Sequence, residues 1–410
     1  MTRPVRQHRR KFIKQTAALS AAAATGTLGF PAIVRSQGGP LKLGVLHPVT
    51  GPLAYSGNLS RLGAKLAIDE INAGGGLKAL GGAKIEPIYA DAPRPEAGVA
   101  EVEKMNEAGA SAIVGAYASA ICLATTQAAA KHNIPHVVDV GVADQIVERG
   151  LKNTFRFGPG YRVIATDAIN DLHIMNKLAR SPATTVMIIH EESLFGTGTA
   201  NLLQQLLPGL GYKVVEVVKH ANPTRDFNNI VLRMKALNPD IVIPANYYNE
   251  YALLVRTMKQ QGVQPKAVFS VLGGAASSYK FVKEFPDVAN GIIDVNHWFD
   301  PRKPQALALK KKVDAMKDQF FTYEVFLNYE SVYLLADAVE RAKSTRREAV
   351  MEALANSTWD KHFMPYGPTR FVNGQNQGAK PLMLQVLKGD IKVVLPNTYA
   401  QSEPVFPWKA

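Results

Sequence analysis

The sequence predicts an α/β protein built on two doubly wound parallel sheets, and three observations support this prediction. Short apolar segments alternate with longer amphipathic segments along most of the chain, a pattern typical of parallel strands joined by helical crossovers. The chain has 410 residues, of which 47% are hydrophobic, so it can bury a large core. Because a domain holds roughly 150 residues, this length favours two domains over one.

Composition excludes several other classes of protein. Cys122 is the single cysteine, so a disulfide scaffold is excluded. Beyond the N-terminus, no uncharged apolar run is long enough to cross a membrane. The formal charge of +13 falls to +6 for the mature chain, because residues 1–37 carry seven positive charges and no acid. The remaining charge is ordinary for a soluble protein, and we expect no nucleic-acid partner.

Residues 1–37 have the order of a secretory signal: a basic segment, an apolar segment and then small residues. Within them, His8–Lys14 resembles the twin-arginine consensus; the alternative is an amphipathic N-terminal helix. We expect cleavage near Ser36 and no lipid anchor, because the cleavage region contains no cysteine. The sequence therefore predicts a soluble periplasmic protein exported by the twin-arginine route.

In the first half of the mature chain, the elements follow from apolar runs, helical spacing and breaker residues. Leu41–Val49 is a short apolar run, and the next segment has leucines at helical spacing before three glycines that stop a helix. The predicted order is a strand at 41–49, a helix at 58–73, a strand at 84–90, a helix at 95–108, a strand at 111–116, a helix at 119–132 and a strand at 134–138.

The same alternation restarts after Phe155–Phe157 and then changes into a helical block. We predict helices at 161–178, 195–210, 226–236 and 250–261, which alternate with strands at 184–190, 213–220, 240–244 and 267–272. Three consecutive helices follow, at 305–320, 326–341 and 346–355. With little strand between them, these helices are predicted to complete an earlier sheet.

No catalytic set is recognisable in the sequence. It lacks a phosphate-binding loop and a Gly-x-Ser-x-Gly elbow, and Gly196–Asn201 lacks the third glycine of a dinucleotide site. A proline separates His132 from His136, so the two cannot share a helical face as zinc ligands. Ser277 and Lys280 have a Ser-x-x-Lys spacing without its companion motifs. We therefore predict a binding protein rather than an enzyme, without cofactor or metal.

Two loops at the carboxyl ends of predicted strands are the candidates for ligand binding. Thr50–Gly57 follows the first strand, and Ala116–Ala120 follows the third and leads into a helix. Ligands of open α/β sheets bind at this edge, and a helix N-terminus attracts anions, so Ser119 is placed to receive a carboxylate. The alternative, that Ser119 only caps its helix, fits the spacing equally well.

Five segments of the mature chain share the pattern of one known family. They are Gly44–Pro52, Gly63–Gly76, Ile113–Gly115, Phe155–Phe157 and Gly367–Gly374. In these segments the chain resembles the periplasmic leucine/isoleucine/valine-binding proteins, and the resemblance extends from about Leu41 to Pro396. The opening segment is typical of the superfamily, whereas none of the five is specific for one ligand.

The resemblance implies a type I periplasmic-binding fold, in which two lobes joined by a three-segment hinge close on a ligand. On this basis, lobe one comprises residues 41–158 and 290–368, and lobe two comprises 159–289 and 369–400. The resemblance also implies that the protein is a monomer and delivers its ligand to an inner-membrane ABC permease.

The site residues implied by the resemblance come from both lobes. In the family, a serine of the third loop and the loop after the fourth strand hold the ligand carboxylate, and aromatic residues of lobe two cover the ligand. Transferred to this chain, with Tyr55 as a further part of the apolar wall, the predicted ligand-binding residues are Tyr55, Ser56, Tyr117, Ser119, Ala120, Gly141, Val142, Phe195, Tyr247, Tyr248 and Gly273.

Two departures from the family pattern concern the ligand. Val142 stands where the family has a hydroxyl residue, and Leu272–Ala275 lacks the acid that would receive an ammonium group. Burying an unpaired ammonium costs several kcal/mol, so we hypothesise that the ligand has a carboxylate but need not be an α-amino acid. In the alternative, Glu191 or Glu192 supplies the missing charge from an adjacent loop.

The sequence thus predicts a periplasmic solute-binding protein of an ABC importer. Its expected ligand is a small carboxylate-bearing molecule: a branched-chain or other amino acid, or an aromatic or aliphatic organic acid. Three alternatives remain: a ligand-sensing subunit of a membrane receptor, a binder of amides or urea, and a secreted α/β enzyme.

Overall fold

The structure is a computed structural model that describes residues 39–408. The predicted signal sequence, residues 1–37, lies outside the described residues. Within residues 39–408, the chain forms one compact unit that contains two seven-stranded sheets.

The first sheet has the strand order β11-β12-β5-β4-β3-β1-β2, and β1 to β5 pair in parallel. Its strands are β1 (Leu41–His47), β2 (Ile85–Asp91), β3 (Ala112–Gly115), β4 (His136–Val138), β5 (Thr154–Arg156), β11 (Phe371–Val372) and β12 (Gln375–Asn376).

The second sheet has the order β14-β13-β10-β9-β8-β6-β7, in which β6 to β10 are parallel and β13–β14 forms an antiparallel hairpin. Its strands are β6 (Thr185–Glu191), β7 (Lys213–His220), β8 (Ile241–Ala245), β9 (Ala267–Val271), β10 (Ile293–Asn296), β13 (Leu382–Leu387) and β14 (Asp390–Leu395).

Thirteen α-helices within residues 39–408 connect and cover these strands. They are α1 (Ala54–Ala73), α2 (Pro95–Glu107), α3 (Ser119–Lys131), α4 (Gln145–Glu148), α5 (Tyr161–Lys177), α6 (Leu194–Leu206), α7 (Asn228–Leu237), α8 (Tyr248–Gln260), α9 (Tyr279–Glu284), α10 (Pro286–Ala289), α11 (Pro304–Asp314), α12 (Tyr323–Ala342) and α13 (Arg347–Ala355).

The predicted fold class is confirmed, and most predicted elements lie within a few residues of their observed bounds. The late helical block packs as predicted, because α12 lies against α1 and over β3 and β4 of the first sheet. Gly63 permits this packing: a Cβ atom there would overlap the carbonyl oxygen of Val325. The close approach of the two helices therefore depends on a residue without a side chain.

The pairing of two late segments corrects the predicted boundaries. The resemblance predicts residues 290–368 in lobe one, but Ile293–Asn296 pairs with β9 and β13 in the second sheet. It predicts residues 369–400 in lobe two, but Gln375 pairs with Arg156 of the first sheet. The chain passes between the sheets three times, after β5, after β10 and after β12.

Candidate functional site

A cavity lies where the carboxyl ends of strands from both sheets meet, the edge at which open α/β sheets bind ligands. Its volume is about 30 Å³, room for on the order of two water molecules. We call the lining residues of the first sheet and its helices the first wall: Tyr117, Ala118, Ser119, Val140, Val142 and Tyr323. Those associated with the second sheet form the second wall: Phe195, Asn246, Tyr247, Leu272, Asn296 and His297.

The Ser119 hydroxyl links two loops of the first wall. The N-cap of α3 is Ala118, which makes no side-chain capping hydrogen bond, so Ser119 does not cap its own helix. Instead, Ser119 Oγ accepts hydrogen bonds of 3.2 Å from the backbone N–H groups of Val142 and Ala143. A hydroxyl that accepts in this way keeps its own hydrogen to donate, and the first-turn N–H groups of α3 lack acceptors within the helix.

A buried arginine supports the same loop from behind. Arg156, at the end of β5, donates to the carbonyl oxygens of Val142 and Ala143 at 2.8 and 2.7 Å. It also pairs with Asp144 at 3.0 Å and donates to Gln375 at 2.6 Å. Because every arm of the guanidinium has an acceptor, the loop beside Ser119 is fixed before any ligand arrives.

A second buried network fixes the backbone at Tyr117. The Asp139 carboxylate accepts hydrogen bonds from the N–H groups of Tyr117 and Val140 at 3.0 and 2.7 Å, and its other oxygen lies 3.0 Å from His47 Nε2. Burial alone would raise the pKa of Asp139, but the His47 contact and the backbone donors outweigh burial and hold the pKa below its usual value. Asp139 is therefore an anion whose role is structural.

Two lining residues adopt left-handed backbone conformations that non-glycine residues rarely occupy. Tyr117 has φ +64° in the first wall, and Leu272 has φ +58° in the second. Such backbone costs of order 1–3 kcal/mol per residue and concentrates at functional sites, where surrounding contacts hold it in place. The Asp139 hydrogen bond to the Tyr117 N–H is one such contact.

Aromatic rings from both sheets meet at the cavity. The ring centroid of Tyr247 lies 5.9 Å from that of Tyr117 and 5.2 Å from that of Phe195, both at tilted angles. Burial raises the pKa of Tyr117 and of Tyr247, so both phenols are neutral at physiological pH. These contacts give the cavity an apolar, flat surface that joins its two walls.

No Asp, Glu, Lys or Arg side chain lines the cavity among the described residues. Glu191, a candidate for the missing ammonium partner, accepts hydrogen bonds from the N–H and hydroxyl of Ser193 and from the N–H of Gly196, at the start of α6. The other candidate, Glu192, is exposed. Neither glutamate lines the cavity, and Leu272, in the segment near which the resemblance places the family's acid, presents an apolar side chain.

Five of the eleven predicted site residues line the cavity: Tyr117, Ser119, Val142, Phe195 and Tyr247. Tyr55 and Tyr248 lie outside it and pack against each other at a tilted angle across the two sheets, with centroids 4.3 Å apart. The other four lie outside it as well: Ser56 is buried in α1, Ala120 is half-buried in α3, Gly141 packs against Cys122, and Gly273 donates to Asp294 at 2.9 Å.

Sequence reasoning missed the polar residues of the second wall. Asn246 follows β8, Asn296 ends β10, and His297 comes directly after it. The side-chain oxygen of Asn246 and both ring nitrogens of His297 are buried without hydrogen-bond partners. The available signal was weak: Ile292, Ile293 and Val295 are β-branched, but Asp294 interrupts them. Polar residues at the end of such a strand belong to the ligand-binding edge.

The His132/His136 pair and the Ser277/Lys280 spacing, neither of which is predicted to be a functional motif, have structural positions in the fold. His132 ends α3, whereas His136 begins β4, so the two do not share a helical face. Ser277 donates to the buried Asp294 at 2.8 Å. Within residues 39–408, no group of three or more potential ligands could hold a metal ion, and no helix combines the length and apolarity that a membrane crossing needs.

Comparisons with known proteins give one consistent result. Residues 40–391 match the model of a family described as periplasmic binding protein. The chain is 28% identical over 387 residues to Leu/Ile/Val-binding protein homolog 7 of Brucella melitensis, covering 90% of this chain and 94% of that protein.

Solved structures share the fold at low sequence identity. Two examples are the branched-chain amino acid transporter substrate-binding protein LivJ from Streptococcus pneumoniae in complex with isoleucine and an ABC transporter solute-binding protein from R. palustris in complex with benzoate. For LivJ the TM-score is 0.73 at 21% identity, with 90% of this chain and 100% of that chain covered. For the benzoate complex the TM-score is 0.75 at 17% identity, with 87% and 96% covered.

Proposed function

Because the chain belongs to the periplasmic binding protein family, we propose that it is the solute-binding protein of an ABC importer. In this role it captures a small carboxylate-bearing ligand between two closing lobes, presents it to an inner-membrane permease and releases it unchanged. The Leu/Ile/Val-binding protein homologs, which resemble the chain over most of its length, support this proposal.

The carboxylate assignment rests on one observation, the hydrogen bonding of the Ser119 hydroxyl. Its hydroxyl is fixed by two backbone donors, lines the cavity and has a hydrogen to donate, next to the N-terminus of a 13-residue helix. Hydrogen-bond donors and the positive end of a helix dipole favour a negative group. With no Lys or Arg side chain in either wall, a single carboxylate suits the site better than a phosphate.

The rest of the cavity favours an organic acid over an α-amino acid. A bound ammonium needs a carboxylate partner, since an unpaired buried charge costs several kcal/mol. No carboxylate side chain lines the cavity among the described residues. The Glu191 carboxylate already accepts a hydrogen bond from backbone at the start of α6. The benzoate and isoleucine complexes of similarly folded proteins make both ligand classes reasonable probes for this chain.

The small size of the cavity is the reason to propose that the lobes open and close. A volume of about 30 Å³ is too small for benzoate or leucine, so ligand entry requires the two walls to separate. We propose that the lobes follow the two sheets, with the boundaries shifted as strand pairing requires. The location we propose is the periplasm; the twin-arginine route stays a prediction, since residues 1–37 lie outside the described part of the chain.

A thermal-shift panel tests this function. The panel contains branched-chain amino acids, benzoates, 2-oxo acids, amides and urea. A ligand at 100 times its Kd stabilises the protein by about 2.7 kcal/mol and raises Tm by several degrees. We expect one or more organic acids to raise Tm and to be recovered unchanged. A shift with amides or urea alone would contradict the carboxylate assignment, and conversion of the ligand would contradict the binding role.

A further inference from the structure

The second wall contains a histidine whose two ring nitrogens are buried without a well-formed hydrogen bond. His297 lines the cavity and is 1% exposed. Neither Nδ1 nor Nε2 meets hydrogen-bond geometry with a described residue, although the backbone of Val140 in the first wall lies close enough to act on the ring. Leaving buried polar atoms unsatisfied is costly, so such groups in native proteins require an explanation.

The surroundings of His297 keep the ring neutral. Burial is the main cause that lowers the pKa of His297 to about 3; the Arg156 charge acts in the same direction, whereas Asp139 and the backbone of Val140 oppose it. The Tyr323 ring packs against the imidazole with centroids 6.1 Å apart. A neutral imidazole offers one N–H donor and one acceptor, so it pairs with an uncharged polar group rather than neutralising a carboxylate.

A second unpaired atom lies in the same wall. Asn246 lines the cavity, is fully buried, and its Oδ1 has no hydrogen-bond partner, whereas its Nδ2 contacts His220. The first wall differs, because the Ser119 hydroxyl is held by backbone donors. The unpaired polar atoms of these two side chains therefore lie in the wall that faces Ser119.

We propose that His297 is a specificity-determining residue that hydrogen-bonds a hydroxyl group on the body of the bound acid. The preferred ligand is then a hydroxy acid; this inference rests on the proposed carboxylate function and deepens it. A hydroxyl suits the site because it both donates and accepts, and so pairs with either ring nitrogen of the imidazole. An ammonium could only donate and would still lack a carboxylate, and a plain hydrocarbon would leave His297 unpaired.

Calorimetric titration with matched acids tests this inference on the purified protein. The pairs are benzoate against 3- and 4-hydroxybenzoate, and 3-methylbutanoate against 2-hydroxy-3-methylbutanoate. We expect at least one hydroxy acid to bind about tenfold more tightly than its parent, as one additional hydrogen bond allows. His297→Leu should remove this preference and leave the affinity for the parent acid within about threefold.

Two further variants separate ligand contact from folding. His297→Gln keeps a donor and an acceptor and should retain part of the preference, which a purely structural role does not explain. His362→Phe alters another buried histidine, one packed among Phe157, Trp359 and Tyr366 outside the cavity lining, and should leave the preference intact.

The failures of the two proposals give different results. Equal affinity for parent and hydroxy acids in the wild type, or a preference that persists in His297→Leu, would overturn the role of His297 and leave the carboxylate function standing. If neither parents nor hydroxy acids bind the wild type, the carboxylate function fails, and the role of His297 falls with it.

Discussion

The two walls of the cavity are built on different principles. In the first wall the Ser119 hydroxyl, and behind it the Asp139 carboxylate and the Arg156 guanidinium, are hydrogen-bonded to backbone that they hold in place. In the second wall, rings and apolar groups alternate with polar atoms that have no partner, at Asn246 and His297. The first wall is complete as it stands, whereas the second leaves polar atoms for a ligand to satisfy.

This difference indicates that the two walls have different roles in ligand binding. Preformed donors hold a charged group at low cost because they need no rearrangement when the ligand arrives. Unpaired groups instead discriminate between ligands, because a ligand that fails to satisfy them binds less tightly. We therefore expect first-wall changes to weaken all carboxylates alike and second-wall changes to alter the order of preference.

We expect the largest effect from replacing Arg156, which supports the first wall from behind. Arg156→Met removes a buried cation that pairs with Asp144 and two loop carbonyls, so the free energy of unfolding should fall by about 3–5 kcal/mol. Urea denaturation measures this loss. Arg162→Met is the matched control, because Arg162 lies 3.5 Å from the same Asp144 but is 63% exposed, and it should cost less than about 1 kcal/mol. Equal losses for the two variants would show that Arg156 does not support the loop.

Ser119→Ala should weaken the binding of every carboxylate ligand by about 1.5–3 kcal/mol, since it removes a hydrogen bond to a charged group. Calorimetry with the best ligand of the thermal-shift panel measures the effect. Ser278→Ala changes a buried serine outside the cavity lining, 3.5 Å from the Tyr55 hydroxyl, and should leave affinity unchanged. If Ser119→Ala lowers stability but retains full affinity, Ser119 only fastens the 142–143 loop.

A smaller effect is expected from the aromatic part of the second wall. Tyr247→Ala removes a ring in contact with Tyr117 and Phe195, and it should weaken the binding of an aromatic acid by about 0.5–1.5 kcal/mol. The binding of an aliphatic acid should weaken less, so the ratio of the dissociation constants for the aromatic and the aliphatic acid measures the effect. Tyr248→Ala removes a neighbouring ring that packs against Tyr55 outside the cavity, and the ratio should then stay constant.

The smallest expected effect is that of pH on affinity. The lowered pKa of His297, about 3, keeps the ring neutral above about pH 4, and Tyr117 and Tyr247 have raised pKa values and stay protonated. No lining side chain should therefore change charge between pH 5.5 and pH 8, and the affinity for a carboxylate should change by less than about threefold. A tenfold gain on acidification would show that His297 takes up a proton and pairs with the carboxylate.

Sequence patterns predicted the first wall better than the second. Strand–helix alternation places Ser119 at the start of a helix after a buried strand, and such local signals can be read directly from the sequence. They do not show that the Ser119 hydroxyl accepts from Val142 and Ala143, because this contact depends on how two loops meet across the sheet.

The second wall depends on contacts between distant parts of the chain. β10 has four residues, is interrupted by Asp294, and pairs with β13 across about 90 positions, so its local pattern was too weak to place His297 at the cavity. Pairing between distant residues also explains why the predicted lobe boundaries differ from the strand pairing, because Gln375 pairs with Arg156 across more than 200 residues. The left-handed backbone at Tyr117 and Leu272 carries no composition signal, since neither residue type favours it.

The central claim is that the first wall recognises negative charge with fixed donors. Calorimetric titration of the wild-type protein with benzoate and with its uncharged analogue benzamide tests it most directly, because the two have nearly the same shape. We predict that benzoate binds at least tenfold more tightly than benzamide and that Ser119→Ala reduces this ratio. Benzamide binding as tightly as benzoate, or more tightly, would contradict the claim.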